Sequence, residues 1–582
     1  MDDPILDPVH GAVYPDRLER LIIQSAPLQR LKGIRQLGLV DVAYPGAIHS
    51  RFEHSVGTMH VAGLMAVHLG LSPDEVRRVR IAGLLHDIGH SALSHAVEQI
   101  LARNPDLQPE VNGKKAVGHE QFTRALVQAA PFGPQVEEAV RKDFGDPASF
   151  FGDVAEIING RSPPLGQIVS GDVDADRIDF LLRDSHHCGV NLGLVDLDQI
   201  LQALTIQDRR VILSGDGDYR ADLSITAAES ILVARAHHYN ALVHHPQVQS
   251  ARSMLLYVME SVLKDMEAEA ARSQIRSFFT EYIDSDLTNL LAQKARDDLA
   301  VVLGRLREGR TYPLASRFDH RTLPPGIRMA ISTIARNGRA RRIFERSLGR
   351  QHGVLVDIST GSGVPKSLRT GDGFLYDESV LAAGLIKSLT RQLTLSIFSD
   401  DQIQISQREI GDLSARLLTF IRSESYLPIE GILLFFHELH GLLSETFSER
   451  ILVPRVRNIT WLYRTIQDLR NNDGKKGLSG LFDYPFHLNY GFPYSERLFE
   501  DIQILVAMGM VYQDQRQFSK AGRWHQRYEY MLTSEGLDYA GEIARQYGGE
   551  AAEVRDYLRK VKHTIPYDMV SLLLSRYRSK PL

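Results

Sequence analysis

The sequence predicts a mainly α protein of more than one domain. Apolar residues recur at helical spacing over Leu18–Leu31, Met59–Leu71 and Val76–Leu85. Ser72-Pro73-Asp74-Glu75 is a helix start, with serine at the N-cap and proline at the first helical position. The stretches that read as strand are few and short. A chain of 582 residues is also too long for one core, so two to four domains are expected.

Composition narrows the class. Hydrophobic content of 43% and charged content of 24% are ordinary for a globular chain. A net charge of -5 argues against a generally basic nucleic-acid binder, while local basic patches stay open. The one cysteine, Cys188, excludes an internal disulfide framework and fits a reducing compartment. The N-terminus, MDDPILDPVHG, has neither a basic n-region nor an apolar h-region, and no apolar run is long enough to cross a bilayer. A cytoplasmic protein without a membrane span is expected.

In chain order, residues 1–260 read mostly as helix. Asn104–Gly118 is polar with Pro and Gly and reads as loop, and Gln167–Arg183 is helical again. VILSGDGDYRADLS, within Arg210–Ser224, predicts a hairpin turning at Gly215-Asp216-Gly217, with helix resuming at Thr226. Residues 261–405 continue the helical pattern and add a small α+β appendage. In it GVLVDIS and LTLSIFS are strands, TGSGVPKSLRTGDG is loop, and Ser379–Gln392 is helix. Residues 406–582 form a third unit, with its best linker at Asn471–Gly477.

His86 and Asp87, in LLHDIGHSALSH (residues 84–95), pose the chemical question. Adjacent helical residues point about 100° apart, so they converge on one ion only where the helix ends. Imidazole with carboxylate suits Fe, Mn or Zn, and Mg less well. His54, in HSRFEHSVG, and Asp176, in SGDVDADRIDFLLRD, are candidates to complete such a site. Taken singly, each has a plain alternative: a satisfied histidine at a helix end, or an N-capping aspartate. His95 and Glu98 stand at i and i+3, so a carboxylate there would orient the imidazole and raise its pKa.

Taken in order, RFEH, LLHDIGH and DVDADRIDF resemble the HD-domain metal-dependent phosphohydrolases, and within them the deoxynucleoside triphosphate triphosphohydrolases. DPVHG, QRLKGIRQLG, YPGAIHSRFEHSVG and RDSHHCG are similar to that branch as well, and the resemblance runs over residues 1–400. It implies an HD-domain helical core and a divalent metal ion, Mn, Fe, Mg or Zn, on His54, His86, Asp87 and Asp176. Two neutral imidazoles and two carboxylates leave positions open for water and a phosphate oxygen. The resemblance further makes His95 the acid that protonates the departing 5′ oxygen, with Glu98, His119 and His90 around it. Arg51, Arg177 and Arg235 match phosphate contacts, Gln36 and Leu37 match positions near sugar and base, and Asp184 matches a contact to the sugar 3′-hydroxyl. Two positions depart from the pattern: Phe180 and Val243 stand where the family commonly has tyrosine. The implied reaction releases deoxynucleoside and inorganic triphosphate. The implied partners are a dNTP substrate, an activating nucleotide and further copies of the chain in a homo-oligomer.

The C-terminal region weakly resembles winged-helix modules. RILVPRVRNITWLYRTIQDL reads as an amphipathic helix and YGFPYSERLFEDIQILVAMGMVY as a turn and helix ending at Met508-Gly509. Tyr528–Thr533 reads as a short strand, and SEGLDYAGEIARQY as the last helix before the tail. Arg516, Lys520, Arg523 and Arg527 around Trp524 make a loose basic patch, so a nucleic acid or a protein is an expected partner here. Two other functions fit the same residues: an HD phosphohydrolase acting on another nucleotide or phosphoester, and a nucleotide-sensing regulatory protein.

Overall fold

A computed structural model of the chain is mainly α, with a few small antiparallel sheets. It describes residues 3–564 apart from 194, 215–217, 361–374, 376–378, 380, 383, 386–392, 448–458, 472–475, 490–491 and 521–522. The expected loop at 360–373, apart from Thr360, and most of the expected helix at Ser379–Gln392 lie outside the described residues. Among the described residues, no helix is long and apolar enough to cross a membrane.

Three large buried apolar clusters and a smaller fourth, around Val40, Ala47 and Leu242, organise the described residues. The first gathers Val56, Met59, Leu84, Leu85, Ile178 and Ile231 from four helices: Arg51–His68, Pro73–Leu85, Ala175–Cys188 and Asp218–His238. The second packs Val97 and Ile100 of helix His95–Arg103 against Met254, Phe278 and Leu303 of helices Pro246–Lys264, Ala268–Thr280 and Asp297–Arg307. The third runs from Leu323 to Leu558 and holds the C-terminal helices together. Functional histidines sit where the first two clusters meet.

Local sequence explains the helix starts. Ser50 and Ser72 each close a capping box with the glutamate three residues on, Glu53 and Glu75, satisfying the first amides of their helices. The first of these boxes starts helix Arg51–His68 eight residues before the apolar periodicity at Met59 begins. Expected helix Leu18–Leu31 is two pieces, Arg17–Ile23 and Ala26–Arg30: Ser25 takes extended backbone between them, its hydroxyl donating back to the Ile22 carbonyl, and Pro27 stands in the first turn of the second. Expected helix Gln167–Arg183 is also broken: Asp174 caps a new helix, Ala175–Cys188, after Leu165–Val169 has ended.

The expected hairpin at Arg210–Ser224 instead spans Leu204–Leu213. Its turn is Asp208-Arg209, both at positive φ, the geometry that matches the twist of a tight two-residue hairpin. The expected turn at Gly215–Gly217 lies outside the described residues, and helix is already established at Asp218. Strands Leu355–Thr360 and Leu393–Phe398 form as expected, and Leu314–Asp319 joins them as a third, antiparallel to Leu393–Phe398.

In the C-terminal region, helix Glu496–Ala507 is followed by the hairpin Val511–Lys520 with Arg523–Leu532. This is a winged-helix-like succession, and the expected short strand is a ten-residue one. The side chains of Arg516, Lys520, Arg523, Trp524 and Arg527 lie outside the described residues. Helix Glu496–Ala507 buries Leu498, Phe499, Asp501, Ile502, Leu505 and Val506, and Asp501 is tied to Arg336 at 2.5 Å and to the Tyr484 hydroxyl at 2.9 Å. That helix is a packing element. Ser534–Gln546 is not the last helix, since Gly548–Val561 follows it.

Candidate metal centre and active site

His86 is the C-cap of helix Pro73–Leu85, still with helical backbone angles, and Asp87 lies in the turn that follows, where the two side chains converge. His86 Nε2 lies 3.3 Å from Asp87 Oδ1. The turn is held from outside by the half-buried Arg30, whose guanidinium donates to the carbonyls of Ile88, His90, Phe279 and Tyr282. Burial pulls the pKa of Arg30 down to about 10 against the attraction of Asp284.

His54, one turn into helix Arg51–His68, completes a tight group with His86 and Asp176. His54 Nε2 is 3.2 Å from His86 Nε2 and 3.1 Å from Asp176 Oδ1, and His86 Nε2 is 3.7 Å from the same oxygen. Asp87 flanks the group, with Oδ2 3.9 Å from His54 Nε2. Each imidazole is oriented by its other nitrogen. His54 Nδ1 donates to Asp179 Oδ2 at 2.7 Å, and His86 Nδ1 donates to the Gly83 carbonyl at 2.8 Å. Both Nε2 lone pairs therefore face one another across 3.2 Å with a carboxylate oxygen alongside. Such a donor set is repulsive unless a positive charge stands among it, and a divalent ion fits it in ligand type and number.

The electrostatics agree. Burial opposes charge on every member, and mutual attraction outweighs it. Hydrogen bonds to Asp176 and Asp179 raise His54 to about 10, and Asp87 and Asp176 raise His86. His86 and Arg51 hold Asp87, and His54 and His86 hold Asp176, well below the usual carboxylate range. A metal ion entering here displaces protons from imidazoles whose partners already favour positive charge.

Beside this group lies a second one. Glu98 bridges two imidazoles, with Oε2 2.7 Å from His95 Nδ1 and Oε1 2.5 Å from His119 Nδ1. The His90 ring stacks on His119 at 3.7 Å between centroids, and His90 Nε2 is 3.5 Å from Asp87 Oδ1. His95 is exposed while His90 is buried, so the group runs from the mouth of the site to the metal ligands. Leu93 and Ser94 place His95 by adopting left-handed backbone in succession, held by Leu93 N donating to Asp284 and by Ser94 Oγ donating to the Arg35 carbonyl. Burial opposes charge on His119 but Glu98 raises its pKa, and Glu98 is lowered in return.

Residues 51–179 match the family model described as HD domain, and residues 195–402 that described as HD associated region. This chain carries an HD domain followed by an HD associated region. An uncharacterized protein of Methanocaldococcus jannaschii is 33% identical over 325 residues, 55% of this chain and 58% of that protein. Deoxynucleoside triphosphate triphosphohydrolase SAMHD1 of Homo sapiens is 32% identical over 210 residues, 32% of this chain and 33% of that protein. The chain thus spans little more than half the length of the first of these relatives, and a third of the second. A hypothetical protein from Aquifex aeolicus, known as a crystal structure, shares the fold with a TM-score of 0.52 at 22% identity, over 72% of this chain and 100% of that one.

The HD domain contributes one wall of a cavity of about 650 Å³. Gln36, Leu37, Arg51, His54, His86, Asp87, His90, His95, His119, Asp176, Phe180 and Asp184 all line it, and Glu98 stands directly behind His95 and His119. Arg51 donates to Asp87 Oδ2 at 2.5 Å and to Ser94 Oγ at 3.0 Å. Arg177 and Arg235 are not among the lining residues. Arg177 turns back to Asp174 and the Gly171 carbonyl at the start of its own helix, and Arg235 packs over the Tyr239 ring. His10, His49, Asp179 and Arg183, which lie within DPVHG, YPGAIHSRFEHSVG, DVDADRIDF and RDSHHCG, also join the site, as does His238. Asp179 receives His10 at 2.6 Å and Arg183 at 2.9 Å besides His54, and Asp7 holds Arg183 from the other side at 2.9 Å. The i, i+3, i+7 spacing of Asp176, Asp179 and Arg183 on one helix face is the sequence signal that leads to them.

Proposed function

We propose that the chain hydrolyses deoxynucleoside triphosphates at the α-phosphorus, releasing deoxynucleoside and inorganic triphosphate, with a divalent metal ion held by His54, His86, Asp87 and Asp176. The observation that carries this reading is the meeting of two groups in one cavity: a His/Asp donor set and a Glu98-bridged histidine pair. The partial similarity to the human triphosphohydrolase and the family resemblance supply the substrate class and the bond broken.

The metal ion, when bound, supplies Lewis acidity that favours attack of water on phosphorus and offsets charge on the phosphate oxygens. The residues do the rest. Asp179 and Gly83 fix the His54 and His86 rings, so both Nε2 atoms face the ion from the start. As water adds to the α-phosphorus, the bond to the 5′ oxygen breaks and that oxygen needs a proton. His95 or His119 supplies it, and Glu98 stabilises the charged ring before transfer. Arg51 orients Asp87 and adds positive charge beside the phosphates. We further propose a homo-oligomer whose activity responds to bound nucleotide.

The test is incubation with each of the four dNTPs and Mn²⁺ or Mg²⁺, singly and mixed, with chromatographic identification of products. Triphosphate and deoxynucleoside support the reading. Orthophosphate, pyrophosphate or a cleaved diester would redirect it to another phosphoester. The His86→Ala, Asp87→Ala double variant is the control and should be inactive while folded.

A further inference from the structure

The cavity of the metal centre has a side that holds none of the metal ligands. Leu37, Leu39, Val40 and Val248 line it there, and Leu37, Val40 and Val248 belong to one apolar cluster. Arg252, one turn beyond Val248 on helix Pro246–Lys264, lines the cavity as well. Its guanidinium is anchored from behind. Nη2 donates to Asp357 Oδ1 and Oδ2, both at 3.0 Å, and to Ser359 Oγ at 3.2 Å. Asp357 is buried and also receives Arg341 at 3.3 Å, and the Ser359 hydroxyl donates to it at 2.6 Å, so the anchor is itself fixed. Among the described residues, Nε and Nη1 of Arg252 have no hydrogen-bond partner; Nε is buried and Nη1 is not. Nη1 carries two hydrogens, and both are free for a ligand in the cavity.

A triphosphate is drawn to the ion, to Arg51 and to the imidazoles. The apolar side takes the uncharged part of the molecule, the flat faces of the base. An edge of that base then meets Nη1. Guanine O6 and thymine O4 are acceptors, while adenine and cytosine carry an amino group, a donor, at the same place. We propose that Arg252 reads the base: Nη1 donates to the exocyclic carbonyl oxygen of guanine or thymine, and Asp357 with Ser359 positions it to do so. The inference rests on the dNTP reading above and deepens it by naming the substrate class, nucleotides with a keto base. An amino base sets N–H against N–H and leaves the donor unpaired, so the site rejects it.

The experiment measures binding and so does not depend on turnover. Mn²⁺-loaded protein is titrated calorimetrically with non-hydrolysable analogues of the four dNTPs, and with the 2-aminopurine counterpart, which is guanine without O6. Guanine should bind about 10- to 100-fold more tightly than adenine or 2-aminopurine, and thymine more tightly than cytosine by a similar factor. Arg252→Met keeps the length of the side chain and removes every donor. It should weaken the guanine and thymine forms and leave the adenine and cytosine forms within a few-fold, so that the preference disappears. Equal affinity of the native protein for keto and amino bases overturns the inference, as does failure to bind any of them, and neither result needs a variant to fold. An equal loss for all four bases in Arg252→Met assigns the arginine to phosphate and overturns it as well. A keto preference in binding, with no hydrolysis of any dNTP, would uphold it and overturn the proposed reaction alone. Hydrolysis of all four dNTPs without a preference in binding would do the reverse.

Discussion

His54 Nδ1 stands 2.7 Å from Asp179 Oδ2, and this contact decides which ring nitrogen faces the metal centre. Asp179 is itself fully buried and fixed by Arg183 and His10, so the orientation of a metal ligand depends on residues as distant in sequence as the N-terminal turn at Asp7–His10.

Asp179→Asn keeps an acceptor in place but removes the charge that His10, Arg183 and His54 share. Metal affinity should fall about 10- to 100-fold, measured by competition against a fluorescent chelator, with helical content unchanged by circular dichroism. An unaltered affinity would mean that Gly83 and the ligands alone orient the site.

Gly57 lies one turn along the same helix, where a side-chain carbon would run into Asp179 Oδ1 and Arg183 Nη2. Gly57→Ala should therefore push Asp179 off His54 and weaken metal binding in the manner of Asp179→Asn, although it carries no metal ligand. The same chelator competition reads it. Binding equal to that of the native protein would show that the helices separate freely.

Glu98 raises the pKa of His119 against burial. A raised pKa keeps the ring protonated to higher pH, so an acid-dependent reaction persists further into the alkaline range. Removing the carboxylate reverses this: Glu98→Gln should move the alkaline limb of the kcat/KM profile for a dNTP to lower pH. His119→Ala should lower kcat by about 10²- to 10⁴-fold. A limb that stays in place in Glu98→Gln would assign the proton to another group.

Much of this was legible in the sequence, for physical reasons that differ by residue. The Ser72–Glu75 capping box fixes where a helix starts, and the apolar run behind it leads to His86 and Asp87 at its far end. Asp179 is less visible, because an aspartate in a charged helix reads as a solvated face until the packing of the N-terminal turn is known. The hairpin misled because Asp208 and Arg209 adopt left-handed backbone without glycine, while Gly215–Gly217 nearby has the composition such turns prefer. SEGLDYAGEIARQY reads as the last helix, yet Gly548 and Gly549 lie in the first turn of a further one, Gly548–Val561, which packs on helix Pro428–Phe447.

Asp357 tests the packing behind the site. Burial works against its charge, but Arg252 and Arg341 outweigh that and hold its pKa below the usual value. A depressed carboxylate contributes stability above its unfolded pKa and loses it as pH falls. Asp357→Asn should destabilise the protein by about 3–5 kcal/mol at pH 7 in urea unfolding, and the gap from the native protein should shrink as pH is lowered past the unfolded carboxylate value. A gap independent of pH would mean that shape, not charge, matters there.

The account turns on one cation among His54, His86, Asp87 and Asp176. Anomalous diffraction from crystals grown with Mn²⁺ locates it directly. The account predicts a single strong peak within about 2.0–2.3 Å of both Nε2 atoms and of an oxygen of each aspartate. No peak there, or one held elsewhere, would contradict it.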